Sequence, residues 1–273
     1  MSTYGQINVI SERVIGTSSE GHCFTYRGIA THPITNQVVE VYFKIFDPVT
    51  ESKGMYNELF AYYAGLNFNL PVAETFICGC RVSQLPGPLP SWIQQLDREA
   101  FCSGIASVNA KPISIRQLRS TPDLFVSDLL SCKNLPSLVA FDEVIMNRDR
   151  TIQNLIRTNC NQYALIDHEQ IFGSPSWDVE SLKNKADEVV GNGLATLIFE
   201  STDELLKART KKIANDFKDI NKLTVYDIPE ELENLCNLPK GTTKFLVQFV
   251  NERINILPRL LHRHDIASQL FAD

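Results

Sequence analysis

No stretch of the chain approaches the roughly 18 consecutive apolar residues that a helix needs to cross a bilayer, so no membrane span is expected. Residues 1–13 mix polar and charged side chains and lack the apolar centre of a secretion signal. An excess of positive charge is missing too. The chain has 26 Lys plus Arg against 32 Asp plus Glu, a formal charge of −6. That balance argues against non-specific nucleic-acid binding, which needs net or clustered positive charge. Paired Cys-x-x-Cys motifs are also lacking. The seven cysteines are odd in number, and a chain of 273 residues buries enough surface to fold without a disulfide framework. Their expected place, Cys78 and Cys80 above all, is as small apolar strand residues. The expectation is a cytoplasmic protein with reduced thiols. An apolar fraction of 44% with 21% charged residues excludes disorder, collagen and coiled coil.

What is present divides the chain in two. Short β-branched runs at 7–10 and 14–15 lead into a turn-rich segment, Gly16-Thr-Ser-Ser-Glu-Gly21. Residues 22–27 alternate at strand period, and 38–46 carry the strongest strand signal. Apolar residues at 55, 59, 62, 63 and 66 then predict a helix. Strands are expected at 70–77 and 99–108, with a Pro-rich connector at 85–92. Beyond about 113 the pattern is helical. Thr121 and Pro122 suit a helix start, and 135–147 reads as an amphipathic helix with Ser137 as a cap. Two short apolar runs, 154–156 and 163–166, form a hairpin pattern. From 176 onward helices are expected, with breaks near Gly191 and Gly193, Pro229, 239–241 and Pro258. The fold class is therefore α+β, with a β-rich lobe over 1–105 and a mainly helical lobe over 106–273. Two lobes leave a cleft in which a ligand can sit.

The chemistry concentrates where the lobes join. Asp149 is followed five residues on by Asn154, and thirteen further on by Asp167 at the end of an apolar strand. In phosphoryl transfer an Asp takes the proton of the attacking hydroxyl, while an Asn on the same loop and an Asp past a short hairpin hold Mg²⁺ against the phosphates. Taken alone, Asp-x4-Asn is an ordinary charged turn. The N-terminal half supplies matching parts. Lys44 lies in the middle of the strongest strand, where it must either snorkel to solvent or meet an anion. Glu58 follows on the next helix as its natural partner. Gly16, Ser18, Ser19 and Gly21 belong to a turn whose backbone N–H groups suit phosphates, although the Gly-x-Gly-x-x-Gly pattern is missing. The order of turn, Lys, Glu, Asp-x4-Asn and Asp is that of protein kinases. His-Arg-Asp-Leu, Asp-Phe-Gly and Ala-Pro-Glu are all missing, which excludes an ordinary eukaryotic protein kinase.

Asn147-Arg-Asp149-Arg150-x3-Asn154 and Ala164-Leu-Ile-Asp167-His168 resemble the HipA-like kinases, in particular the short bacterial and phage-type branch without the long N-terminal subdomain. Tyr42-Phe-Lys44, Tyr56-Asn-Glu58 and Leu70-Pro-Val72 resemble the corresponding upstream segments, and the likeness runs over about residues 8 to 175. It implies a two-lobed protein-kinase-like fold, ATP and Mg²⁺ as cofactors, and transfer to a Ser or Thr of a protein substrate. It further implies Asp149 as base, Asn154 and Asp167 as metal ligands and Lys44 as phosphate contact. Ser18 or Ser19 would be a site of self-phosphorylation, and an antitoxin-like partner fits the family. Two residues depart from the pattern: Thr151 stands where the family has His, and Glu169 where it has Gly. The nucleotide-binding connection between lobes is expected near 101–104, which adds Cys102 and Gly104 to the candidate set.

Two other readings stay open on the residues alone. One is a nucleotide-binding pseudokinase, for which Thr151 and Glu169 speak. The other is a kinase of a small molecule, since such enzymes share the Asp-x4-Asn and Asp arrangement. Trp92 and Trp177 are expected to pack. The cluster Arg259, His262, Arg263 and His264 and the run 207–212 are expected to be solvated helix faces.

Overall fold

The computed structural model describes residues 4–13, 24–108, 122–159, 162–220 and 222–270. Five strands form the N-terminal part: β1 (Tyr4–Arg13), β2 (Phe24–Thr31), β3 (Val38–Ile45), β4 (Thr75–Arg81) and β5 (Phe101–Val108). They close into a barrel in the order β1-β2-β3-β5-β4, with β1 running parallel to β4 and every other pair antiparallel. Closure leaves the sheet no open edge. The helix α1 (Gly54–Asn67) lies between β3 and β4 in sequence.

The period of two fixes which side chains face where. Val41, Phe43 and Ile45 of β3 join Tyr26, Phe76, Cys78, Cys80, Cys102 and Ala106 in the barrel interior. Lys44 falls on the other face, opposite Ile105, which in turn lies opposite Ile77. Ile77 and Ile105 belong to the second, larger core, which α1 shares with the helical part. The barrel therefore presents Lys44 towards α1. The cysteines expected as apolar strand residues are so placed: Cys78, Cys80 and Cys102 are buried thiols, as are Cys132 and Cys236 in the helical part. Burial pushes the Cys78, Cys80 and Cys236 thiols up to about 12, which removes them from nucleophilic chemistry.

The helical part contains α2 (Pro122–Leu130), α3 (Leu135–Val144), α4 (Gly193–Glu200), α5 (Glu204–Ile220) and α6 (Thr242–Leu270), with shorter turns of helix between them. A hairpin of β6 (Leu155–Asn159) and β7 (Gln162–Leu165) sits at the junction. The α+β arrangement expected from the sequence, β-rich first and helical after, is the one observed. No single helix among the described residues is long and apolar enough to cross a membrane.

Several local expectations are corrected. The strand expected at 70–77 begins at Thr75. Residues 71–73 instead bond to the hairpin, with Leu165 N donating to Pro71 O at 2.9 Å and Ala73 N to Leu165 O at 3.2 Å. Helix α3 begins after Asn134, which makes no side-chain cap bond, so Ser137 lies inside it; it is not amphipathic, because Asp142 and Glu143 are as buried as its leucines. Pro258 does not break α6, whose apolar stripe (Leu246, Val250, Ile254, Leu257, Leu261) runs through it into the core. His264 is not on a solvated face: its Nε2 lies 3.0 Å from the buried Glu143 carboxylate. Thr121, Cys23, Cys160 and residues 14–15 lie outside the described residues.

Cys102 and Gly104 are strand residues, not a connection between lobes. Strand β5 continues to Val108, so a boundary at 105/106 falls inside it. A side chain at Gly104 would place its Cβ 2.1 Å from the Lys44 carbonyl oxygen. That close approach of two backbones requires glycine, which explains Gly104 without a ligand. Gly104→Ala is accordingly expected to force β3 and β5 apart and to cost about 1–3 kcal/mol of stability, read from denaturant unfolding.

Candidate active site

Three elements converge on Lys44. Its Nζ donates to Glu58 Oε1 of α1 at 2.5 Å and to Asp167 Oδ1, just beyond β7, at 2.5 Å. Glu169 Oε2 lies 3.5 Å away. The Lys44 side chain is 13% exposed and that of Glu58 4%, whereas Asp167 is open at 33%. An ammonium this deeply placed is tolerated only when carboxylates compensate its lost hydration. Burial alone would raise the Glu58 pKa, but the Lys44 ammonium and the His168 side chain outweigh it and hold the carboxyl well below the usual range. The second Glu58 oxygen also accepts the His168 backbone N–H at 3.1 Å. One carboxylate thus ties β3 to the turn carrying Asp167.

Asp167 has φ 66°, a left-handed conformation rare for a residue with a side chain. Phe172 (φ 55°) and Gly173 (φ 81°) repeat it within six residues. Asn57, fully buried beside Glu58, holds this turn. Its Nδ2 reaches Glu169 O at 2.6 Å, Ser174 O at 3.3 Å and Ile171 O at 3.4 Å, and its Oδ1 accepts Trp177 Nε1–H at 2.8 Å. Trp177 is therefore a packing and anchoring residue, as expected.

The loop bearing Asp149 is held from below by a buried pair. Asp142 of α3 accepts Arg150 Nε–H at 2.7 Å and Asn147 Nδ2–H at 3.1 Å. Arg150 Nη1 then donates to Asn154 O and Ile166 O, both at 2.7 Å, so one guanidinium fixes the loop to the residue preceding Asp167. Asn147 Oδ1 accepts the Asp149 N–H at 3.2 Å, and Asn154 Nδ2 donates to Asp149 O at 2.9 Å. Thr151 Oγ1 donates to Asn154 Oδ1 at 3.1 Å. Asp149 itself is exposed. Gly193 N donates to Arg150 O at 3.1 Å, docking the start of α4 on the same loop.

Of the expected site residues, the fold brings Lys44, Glu58 and Asp167 into contact and links Asp149 to Asn154. Cys102 and Gly104 lie within β5. Gly16, Ser18, Ser19 and Gly21 lie outside the described residues. Three contributors were not expected from sequence: Asn57, Asp142 and Glu51. A lone Asp-Glu pair inside an apolar helix was the available signal for Asp142. Glu51, which is buried, precedes α1 and accepts Asp47 N–H at 3.0 Å. The ligand atoms of Glu58, Asp167 and Glu169 all lie within 4.8 Å of one another. These three carboxylates are an all-oxygen donor set of the kind that suits a hard cation such as Mg²⁺.

No protein-family model matches the chain, and no curated protein does either. Among solved structures it is similar to the crystal structure of a Helicobacter pylori proinflammatory kinase, CtkA. Identity is 11% and the TM-score 0.47, covering 95% of this chain and 96% of that one. A likeness that distant leaves function to be argued from the residues above.

Two predictions follow from the buried charges. Arg150→Met strands Asp142 in the core, and should destabilise the protein by about 3–5 kcal/mol in urea unfolding. Burial, aided by the nearby Glu169 and Asp47 carboxylates, raises the Glu51 pKa to about 7. A raised carboxyl pKa costs stability as pH climbs from the ordinary value towards 7. Glu51→Gln should therefore match the parent below about pH 4.5 and exceed it by roughly 2–3 kcal/mol at pH 8.

Proposed function

We propose that this protein is an ATP- and Mg²⁺-dependent phosphotransferase that moves a γ-phosphoryl group to a hydroxyl. The observation that carries the reading is Lys44, which bridges a helix carboxylate, Glu58, and the carboxylate beyond the hairpin, Asp167, at 2.5 Å each. A strand Lys paired with a helix Glu next to a metal-binding Asp is the phosphate-handling arrangement of kinases. The resemblance to HipA-like kinases extends the reading to a protein Ser or Thr as acceptor, acting in the cytoplasm, with an antitoxin-like partner as a further expectation.

In this reading Asp167 and Asn154 hold the Mg²⁺, which when bound neutralises charge on the phosphate oxygens. Lys44, released from Asp167, contacts the phosphates while Glu58 keeps it aimed. Asp149 accepts the proton of the acceptor hydroxyl as its oxygen bonds to the γ-phosphorus and the bond to the leaving diphosphate breaks. The Asp149 backbone is fixed on both sides, by Asn147 and by Asn154, so the carboxylate is presented on a rigid loop. Glu169 favours a second reading, a nucleotide-binding regulator, because its carboxylate lies 3.5 Å from Lys44 and adds negative charge where phosphates must sit.

Incubation with Mg²⁺ and ATP, followed by intact mass, separates these readings. A phosphate gained by the protein or by a supplied protein acceptor, and reduced about 100-fold or more in Asp149→Asn and Asp167→Asn, supports the kinase. Mg²⁺-dependent nucleotide binding without transfer to any acceptor supports the regulator. A phosphate found on a small co-purified metabolite supports a small-molecule kinase. No nucleotide binding at all overturns the proposal.

A further inference from the structure

Helix α1 and the turn after Asp167 are fastened together more firmly than the Lys44–Glu58 pair requires. Asn57 gathers the carbonyls of Glu169, Ile171 and Ser174 on one amide, and Trp177 Nε1–H fixes the rotamer of that amide through its oxygen. Further ties run alongside. Lys53 N donates to Pro175 O at 2.8 Å, and Tyr56 Oη bonds Thr243 Oγ1 of α6 at 2.9 Å. Phe60 packs edge-on against Phe172, and Tyr56 against Trp177. The turn they grip holds left-handed residues at 167, 172 and 173, a conformation that persists only where the surroundings impose it.

The geometry points to Asn57 as a positioning residue for the metal-binding turn, one that makes α1 and residues 167–174 a single body. This rests on the phosphotransferase reading above and deepens it. A kinase whose Glu-bearing helix swings away can be switched by that swing. Here the swing would strip three carbonyls and an indole N–H of their shared partner in a buried site, each at a cost. The Glu58 helix is therefore assembled in the resting chain. What has to change on nucleotide binding is the Lys44–Asp167 contact, not the helix.

Asn57→Asp keeps the shape and the oxygen facing Trp177 but removes the donor. Mn²⁺ titration calorimetry with a non-hydrolysable ATP analogue should show affinity for the metal falling about tenfold or more, the usual effect of losing a group that orients a ligand-bearing segment. The concentration of Mg²⁺ giving half-maximal transfer should rise in step, with kcat recovering at saturating Mg²⁺. A purely structural role would lower the melting temperature and leave the metal dependence of the folded protein unchanged, and that outcome overturns the inference. Should Asn57→Asp not fold, hydrogen exchange on the parent protein decides. Amides 57–62 and 168–174 should show the same protection and shift together when Mn²⁺ and analogue are added. Helix amides exchanging well ahead of the turn would overturn it. If the parent binds neither metal nor nucleotide, it is the phosphotransferase reading that has failed. If it binds them and Asn57→Asp binds as well, only the role of Asn57 has.

Discussion

An ammonium on the outer face of a barrel strand, closed off from most water, has to be compensated, and the architecture around Lys44 follows from that demand. Its hydration is replaced by Glu58 from α1 and Asp167 from beyond β7, with Glu169 close by. Those carboxylates come from elements more than one hundred residues apart in the chain, so the pairing can form only when barrel, helix and hairpin are docked. A buried charge that loses its partner costs several kcal/mol. The contact thus makes the docking of the two parts close to all-or-none.

The same logic recurs one layer deeper. Helix α3 carries two acidic residues into the core, and each is met by an arginine from elsewhere: Asp142 by Arg150 and Glu143 by Arg253. Arg253 of α6 also donates to the Ala186 and Glu188 carbonyls, both at 2.8 Å. Glu188 in turn pairs its side chain with Arg148, next to Asp149, at 3.0 Å. The loop bearing the proposed base is thereby held from both sides by guanidinium groups. Planar, multiply donating side chains suit this task, because one residue fixes several carbonyls in a defined plane. It is rigidity obtained by satisfying polar groups, where an all-apolar core would have left the loop's backbone without partners.

Strand alternation at 38–46 made both β3 and the placement of Lys44 readable, since a Lys amid Tyr42, Phe43, Ile45 and Phe46 has few places to go. The 3.6 period at 55–66 did the same for α1 and Glu58, and the hairpin followed from two apolar runs with a polar gap. Less was legible wherever a long-range partner decided the outcome. The helix over 135–147 read as amphipathic because nothing local announces that Arg150 and Arg253 meet Asp142 and Glu143 in the core. His264 read as surface for the same reason. Pro258 read as a stop, yet the tertiary packing of α6 outweighs one missing hydrogen bond. The lobe connection was placed at 101–104 although 99–108 already read as strand, and β5 runs through that segment to Val108. Asn57 was visible only as the neighbour of Glu58; that its amide spans three carbonyls is a property of the fold.

Charge balance at the site bears on what it can accept. Around one ammonium stand the carboxylates of Glu58, Asp167 and Glu169, with Glu51 a further acid whose charge is felt by the group. With Lys44 counted, the cluster is negative, and in a partly buried setting such an excess is weakly screened. A bare polyphosphate would be repelled from it. A dication brought in with the phosphates would reverse the sign of the interaction, because it satisfies Asp167 and frees Lys44 for an anion in the same event. Glu169 steepens this dependence: its carboxylate, 3.5 Å from Lys44, adds to the negative charge and strengthens the demand for positive charge on binding. The same carboxylate therefore both disfavours a bare polyanion and favours one that arrives with its cation.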